Sequence, residues 1–242
     1  MNFGRNTAML IGMLAMSLLA VASGCTLNDS SGGPYEKDAS GKDTYKGEDV
    51  SKYHPKREGG GEDTSPPSPD VCPLPPAAEK DALDTLKVGD KFPEFTLKDV
   101  CTGKDVKRSE QAKGLYQLII VWASWCPVCR SEAKSSVKPL YDELGQGNTA
   151  KIAILAVGVN YIGDTAEAQR TFVESNKYGW TCVFDANAEV KEAIGSNYIP
   201  TAVLVDESGK IVTYGYYSEG YAKKLNSYLR AACEFKEKHP DK

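Results

Sequence analysis

Histidine and methionine are scarce in this chain, and their scarcity excludes several kinds of site. Of the two histidines, His54 lies in a polar stretch rich in glycine and proline, and His239 is close to the C-terminus. Neither position favours a packed site, so Ser-His-Asp triads, Cys-His nucleophile pairs and histidine-ligated catalytic zinc are poor candidates. All four methionines fall within the first 16 residues, so the rest of the chain has no thioether ligand for copper.

An excess of basic residues is also absent. The formal net charge is −4, which argues against a protein that neutralises nucleic-acid phosphates. Residues 26–70 contain ten acidic and six basic residues and therefore account for the whole net charge. The remainder is close to neutral, and its prominent feature is cysteine, of which the chain has seven.

The first 24 residues have the pattern of a secretory signal peptide. Arg5 precedes an apolar run from Ala8 to Ala22, which is shorter than the roughly 20 residues of a membrane-spanning helix. The small residues before Cys25 resemble the bacterial lipobox, although Ala22 stands where leucine is usual. We therefore predict a lipoprotein signal peptide over residues 1–24 and lipidation of Cys25. An ordinary signal peptide with an incidental cysteine is the alternative.

Two further segments follow the signal peptide. Residues 25–70 are rich in Ser, Gly, Pro and charged residues and show no apolar periodicity, so we expect a disordered tether. Residues 71–242 form the predicted folded domain, in which strand-like and helix-like runs alternate, as is typical of an α/β fold. The predicted strands are 94–97, 105–107, 115–122, 151–159, 181–184, 202–206 and 211–216, and the predicted helices run from the CxxC motif to about residue 144 and over 165–176, 188–194 and 219–235.

A Cys-Pro-Val-Cys motif follows the most apolar of these strands. Cys126 and Cys129 would lie one helical turn apart on the same face of a helix, where their sulfurs can close a small disulfide. Free backbone N–H groups and the helix dipole would stabilise the thiolate of Cys126, and Pro127 suits the first helical turn. A zinc site would need a second ligand pair, and no other CxxC or Cys/His pair is present. The motif therefore favours redox chemistry without a cofactor.

The motif Trp125-Cys126-Pro127-Val128-Cys129, with Ile199-Pro200-Thr201 downstream, resembles the thioredoxin fold. The segment from Val88 to Leu97 is similar to the N-terminal β-hairpin of the TlpA/ResA-like thiol-disulfide oxidoreductases. The resemblance implies a central mixed sheet flanked by helices. It also implies that Cys126 attacks, that Cys129 resolves, and that Pro200 is a cis-proline packed against the disulfide. The Ile199 peptide group would then bind an extended substrate chain.

The resemblance also gives Glu132 a role. Thioredoxins place a buried acid six residues before the first cysteine, where this chain has Ile120. The ResA-like branch uses a glutamate three residues after the second cysteine, and Glu132 stands there, where it could exchange a proton with Cys129. The alternative is a solvated surface charge. Of the two tryptophans near the motif, we expect Trp122 in the core and Trp125 as a partly exposed wall that binds substrate.

The other four cysteines suggest two structural disulfides, since the signal peptide predicts an oxidising compartment. Three pairings are possible, and we prefer Cys72 with Cys101 and Cys182 with Cys233. Four isolated thiols are the alternative.

These features predict a lipid-anchored thiol-disulfide oxidoreductase in the bacterial cell envelope, with its thioredoxin domain in the periplasm. We expect a monomer that reduces disulfide-containing proteins and, as the resemblance implies, receives electrons from a membrane protein of the DsbD/CcdA type. Pro127 follows the first cysteine, as in glutaredoxins and DsbA, so a disulfide oxidase or isomerase stays open. A peroxiredoxin would need Thr and Pro where the chain has Ala123 and Ile119. A non-enzymatic binding module is a further alternative.

Overall fold

A computed structural model describes residues 35–37, 43–45 and 73–240 of the chain. The predicted signal peptide, Cys25, Cys72 and most of the predicted tether lie outside these residues. Within them, no helix is both long enough and apolar enough to cross a bilayer.

The elements alternate much as the sequence predicts. The strands are β1 (Tyr35–Lys37), β2 (Asp43–Tyr45), β3 (Thr96–Asp99), β4 (Asp105–Lys107), β5 (Tyr116–Trp122), β6 (Ile152–Val159), β7 (Thr181–Asp185), β8 (Thr201–Val205) and β9 (Ile211–Tyr216). The α-helices are α1 (Arg108–Ala112), α2 (Pro127–Glu132), α3 (Lys138–Leu140), α4 (Ala166–Ser175), α5 (Glu189–Ile194) and α6 (Glu219–Lys238).

Seven strands form one mixed sheet in the order β4-β3-β7-β6-β5-β8-β9. The central strands β5, β6 and β7 are parallel, and the pairs at either side of them are antiparallel. Because β5 and β6 are apolar and almost wholly buried, they lie in the middle of the sheet with both faces covered. β3 and β4 pair as an antiparallel hairpin at one edge.

The helix after the CxxC motif is interrupted twice. It contains the predicted α-helical start, α2, but π-helical turns occupy Ala133–Val137 and Tyr141–Gly145, on either side of α3. Pro139 lies in α3 and has no N–H to donate to the preceding turn, which accounts for the local widening of the helix. The element is otherwise continuous from Pro127 to Gly145.

Three elements lie outside the sequence predictions. The five-residue helix α1 is too short to show a periodic apolar pattern, and contacts of its buried Arg108 with Gln117 and Glu94 stabilise it. Strands β1 and β2 pair antiparallel within the segment predicted as a tether.

The predicted disulfide between Cys182 and Cys233 is wrong, because both are buried free thiols. Cys182 pairs in register with Ala156 on β6, whereas Cys233 is close to Lys151, five residues earlier. Pairing of Cys72 with Cys101 stays a prediction, since Cys72 is not described.

Candidate redox site

The Cys126/Cys129 pair lies where the central strand β5 passes into a helix. Cys126 is the N-cap of α2, with extended backbone angles, and Pro127 follows in the first turn. The two cysteines form a disulfide with a Cα–Cα distance of 5.2 Å, and the Cys129 N–H donates to Cys126 Sγ at 3.2 Å. The site therefore combines a dithiol spacing with a backbone N–H that donates to Cys126 Sγ and would stabilise a Cys126 thiolate.

Both sulfur-bearing side chains are shielded from solvent in this disulfide form. Cys126 is 0% exposed and Cys129 is 4% exposed. Cys129 lines a partly open pocket, together with Glu132, Pro200 and a wall of apolar and aromatic side chains. That wall includes Ile120, Trp122, Phe172, Tyr178 and Tyr217.

The structure places the second predicted motif directly against the disulfide. The peptide bond between Ile199 and Pro200 is cis, as the sequence resemblance implies, and the carbonyl oxygen of Ile199 is 3.9 Å from Cys126 Sγ. β8 begins at the next residue, Thr201, and pairs antiparallel with β5. The adjacent strands β5 and β8 thus bring the disulfide and the cis-proline together at one end of the sheet.

Glu132 is a buried carboxyl in the wall of the same pocket. Its side chain is on the inner face of α2, and the residue is 6% exposed. Burial raises the pKa of the Glu132 carboxyl, and the nearby Glu219 carboxylate adds to this effect, while the Ser136 hydroxyl opposes it by donating to Oε2. The alternative of a solvated surface charge is therefore wrong. Ile120 lines this pocket too, so Glu132 faces the same pocket that an acid at position 120 would face.

The predicted exposure of Trp125 is wrong. Its side chain is 0% exposed, because the indole N–H donates to the Tyr161 carbonyl at 2.6 Å and the two rings lie 6.0 Å apart. Trp125 therefore fixes the redox loop against Tyr161 and has no exposed side-chain surface for a substrate. Trp122 is in the core, as predicted.

Sequence reasoning missed a buried carboxylate that holds the redox loop. Asp164 accepts from the Ser124 N–H at 2.7 Å, from the Ser124 hydroxyl at 2.5 Å and from Gln169 Nε2 at 2.9 Å. Burial raises the pKa of Asp164, and its hydrogen bonds oppose this rise. Ser124 is two residues before Cys126, so Asp164 ties the loop to the start of α4. The Asp-Thr pair just before that helix is a capping signal that could have drawn attention to it.

Comparisons with known proteins agree with this geometry. The sequence model of the Redoxin family matches residues 87–229, more than half of the chain. The chain is 27% identical over 130 residues to the thiol-disulfide oxidoreductase ResA of Bacillus subtilis, covering 53% of this chain and 67% of ResA. It is 28% identical over 129 residues to the thiol:disulfide interchange protein DsbE of Vibrio cholerae, covering 53% of this chain and 65% of DsbE, which is less than two thirds.

Solved structures share the fold. A Chlorobium tepidum protein described as a DsbE-type interchange protein aligns with a TM-score of 0.52 at 24% identity, over 62% of this chain and 99% of its own. A Bacteroides thetaiotaomicron protein described as a protein disulfide isomerase aligns with a TM-score of 0.52 at 22% identity, over 64% and 95%. Both likenesses confirm the predicted thioredoxin fold. The chain belongs to the Redoxin family, in which it is a TlpA/ResA-like thiol-disulfide oxidoreductase.

Proposed function

We propose that this chain is a membrane-tethered reductase that transfers electrons from the Cys126/Cys129 dithiol to disulfides of extracytoplasmic proteins. The observation that carries the proposal is the Cys126–Cys129 disulfide, which is closed at a helix N-terminus. The carbonyl oxygen of Ile199, the residue before the cis-proline, is 3.9 Å from Cys126 Sγ. A dithiol in this setting can form and break a disulfide without moving the backbone far.

The reaction would begin from the reduced pair. The Cys126 thiolate attacks one sulfur of the substrate disulfide, and the other substrate sulfur leaves as a thiolate that takes up a proton. Cys129 then loses its proton and attacks Cys126 Sγ, which releases the second substrate thiol. Two electrons pass to the substrate, and the pair is left as the disulfide present in the structure.

Glu132 is the proposed proton carrier for Cys129. The two side chains line the same pocket, one helical turn apart, and burial raises the pKa of the carboxyl toward the range in which it can both accept and return a proton. The pocket wall around them is apolar, which limits proton exchange with bulk water.

The substrate chain would lie along the edge formed by Ile199 and Pro200. The Ile199 carbonyl oxygen is beside Cys126 Sγ, so a backbone hydrogen bond to the peptide group of Ile199 would hold the substrate disulfide in line with the attacking sulfur. Trp125, which we predicted as a substrate-binding residue, would act by fixing the loop that carries Cys126, because its own side chain is buried.

Anchoring and electron supply complete the proposal. Lipidation at Cys25 and a tether over residues 25–70 would hold a monomeric domain near the membrane, in the periplasm of the cell envelope. A membrane electron donor of the DsbD/CcdA type would then restore the dithiol. The similarity to ResA and DsbE supports an extracytoplasmic site of action.

An insulin-reduction assay with dithiothreitol as electron source tests the activity. We expect turnover by the native protein and none above background by Cys126→Ser. Absence of turnover by the native protein would instead favour a non-enzymatic module, and peroxide consumption without insulin reduction would favour a peroxiredoxin.

Direction is tested separately by titrating the pair against glutathione or dithiothreitol buffers. A reduction potential below about −200 mV supports a reductant, and one near about −120 mV supports the alternative, an oxidase or isomerase.

A further inference from the structure

The loop after β6 carries an apolar side chain to the edge of the redox site. Ile162 is one of three large hydrophobic side chains that are exposed among the described residues, the others being Leu74 and Val88. Its neighbour Tyr161 accepts the indole N–H of Trp125, which directly precedes Cys126. Ile162 therefore belongs to a turn that contacts the redox loop through Tyr161.

The other candidates lie elsewhere. Val88 is next to Gly89, whose N–H donates to the carbonyl of Ile211 at the start of β9. Thr201, which follows the cis-proline, pairs with Tyr216 at the other end of that strand. Val88 is thus an exposed apolar residue like Ile162, yet it is at the end of the sheet remote from the disulfide.

The backbone at Ile162 is unfavourable for isoleucine. Its φ angle is +51°, and Gly163 follows with a φ of +76°, while the Asp164 N–H donates to the Tyr161 carbonyl at 3.3 Å and closes the turn. Turns with two central residues in the left-handed region favour Asn-Gly, because a β-branched side chain is strained there. An isolated exposed isoleucine needs no explanation by itself, but a strained one at the site edge points to a function.

The turn is also held in a fixed position. Asp164 binds Ser124 and Gln169 on one side of Ile162. On the other side, the Asn160 side-chain amide donates to the carbonyl of Ala186 at 3.2 Å. The side chain of Ile162 is therefore presented to solvent on a rigid support, as suits a preformed contact.

We propose that Ile162 is a docking residue for an apolar side chain that flanks the disulfide of a substrate protein. This inference rests on the proposed function and adds that the site selects substrate proteins with an apolar side chain near the disulfide. Contact with Ile162 would bury apolar surface on both partners and so tighten binding, without taking part in the transfer of electrons. A small-molecule disulfide has no polypeptide chain that could contact Ile162.

The test compares two substrates and two matched variants. Ile162→Asn removes the apolar side chain but keeps a residue that this turn favours, and Val88→Asn makes the same change at the remote end of the sheet. For Ile162→Asn we expect a fall of about 10-fold in kcat/KM for insulin, through KM, with a rate on 5,5′-dithiobis(2-nitrobenzoic acid) within about 2-fold of the native protein. Its Tm should equal or exceed that of the native protein. Val88→Asn should leave both rates unchanged.

Two results would overturn the docking role while leaving the proposed function intact. One is an unchanged insulin rate in folded Ile162→Asn, and the other is an equal loss on both substrates, which would indicate disturbance of the redox loop. If the native protein reduced neither substrate, the proposed function itself would be refuted.

Discussion

The two cysteines at the start of α2 are bonded to each other at a helix N-terminus, whereas the two in β7 and α6 are thiols. Cys126 is the N-cap of a helix and is bonded to Cys129. Cys182 and Cys233 are buried thiols, and burial raises the pKa of Cys182 far above the ordinary value and that of Cys233 to about 11. All four cysteines are buried, so burial does not separate the two regions. The difference is the helix N-terminus, where the Cys129 N–H donates to Cys126 Sγ, a setting that stabilises a thiolate.

The sharpest way to break this comparison is to remove one cysteine from each region. Cys126→Ser should lower the rate of insulin reduction by about 1,000-fold or more, because a serine hydroxyl is a far weaker nucleophile at neutral pH. Cys182→Ala is the matched control and should stay within about 2-fold of the native rate. Equal losses in the two variants would refute the separation of the regions.

A smaller effect is expected from replacing the Glu132 carboxyl, which lies in the pocket of the redox site. Glu132→Gln should slow exchange by about 10- to 100-fold, since Cys129 loses its proton carrier, and should shift the pH dependence of the rate. Glu110→Gln changes an exposed glutamate in α1 and is the control. Stopped-flow rates across pH that are identical for Glu132→Gln and the native protein would contradict the role.

The raised pKa of Glu132 also predicts how stability depends on pH. Between the ordinary glutamate pKa of about 4.3 and its raised native value, the native state keeps a proton that the unfolded chain has lost. The contribution of Glu132 to stability therefore falls as pH rises through that window. Urea denaturation at several pH values should show this fall in the native protein and less of it in Glu132→Gln.

The smallest effects are expected in the second region. Cys182→Ala and Cys233→Ala should each cost about 1 kcal/mol in the free energy of unfolding, through lost packing, with no change in exchange rate. In the native protein at pH 8, iodoacetamide should alkylate both thiols only slowly until denaturant is added. Rapid labelling of the folded protein would contradict their burial.

The redox motif was predictable because its parts are local. Cys126, Pro127 and Cys129 are close in sequence, and a strand followed by a helix places them without any distant contact. The sequence leaves Glu132 between a proton-exchange role and a solvated surface charge, because its burial depends on a pocket built from several strands and helices.

The errors come from distant contacts. Trp125 is buried because a carbonyl 36 residues away accepts its N–H, and no local pattern records that. The proposed Cys182–Cys233 disulfide was an inference from cysteine number, which contains no distance. Asp164 was missed since its partner Ser124 is 40 residues away.

Trapping with Cys129→Ser tests the central claim most directly. Without a resolving thiol, the mixed disulfide should persist. Reduced Cys129→Ser, freed of reductant and mixed with insulin whose disulfides are intact, should give a covalent adduct. Mass spectrometry should locate the bond at Cys126, and Cys126→Ser should give far less adduct. No adduct with Cys129→Ser, or an equal yield through Cys129 in Cys126→Ser, would contradict the assignment of Cys126 as the attacking residue.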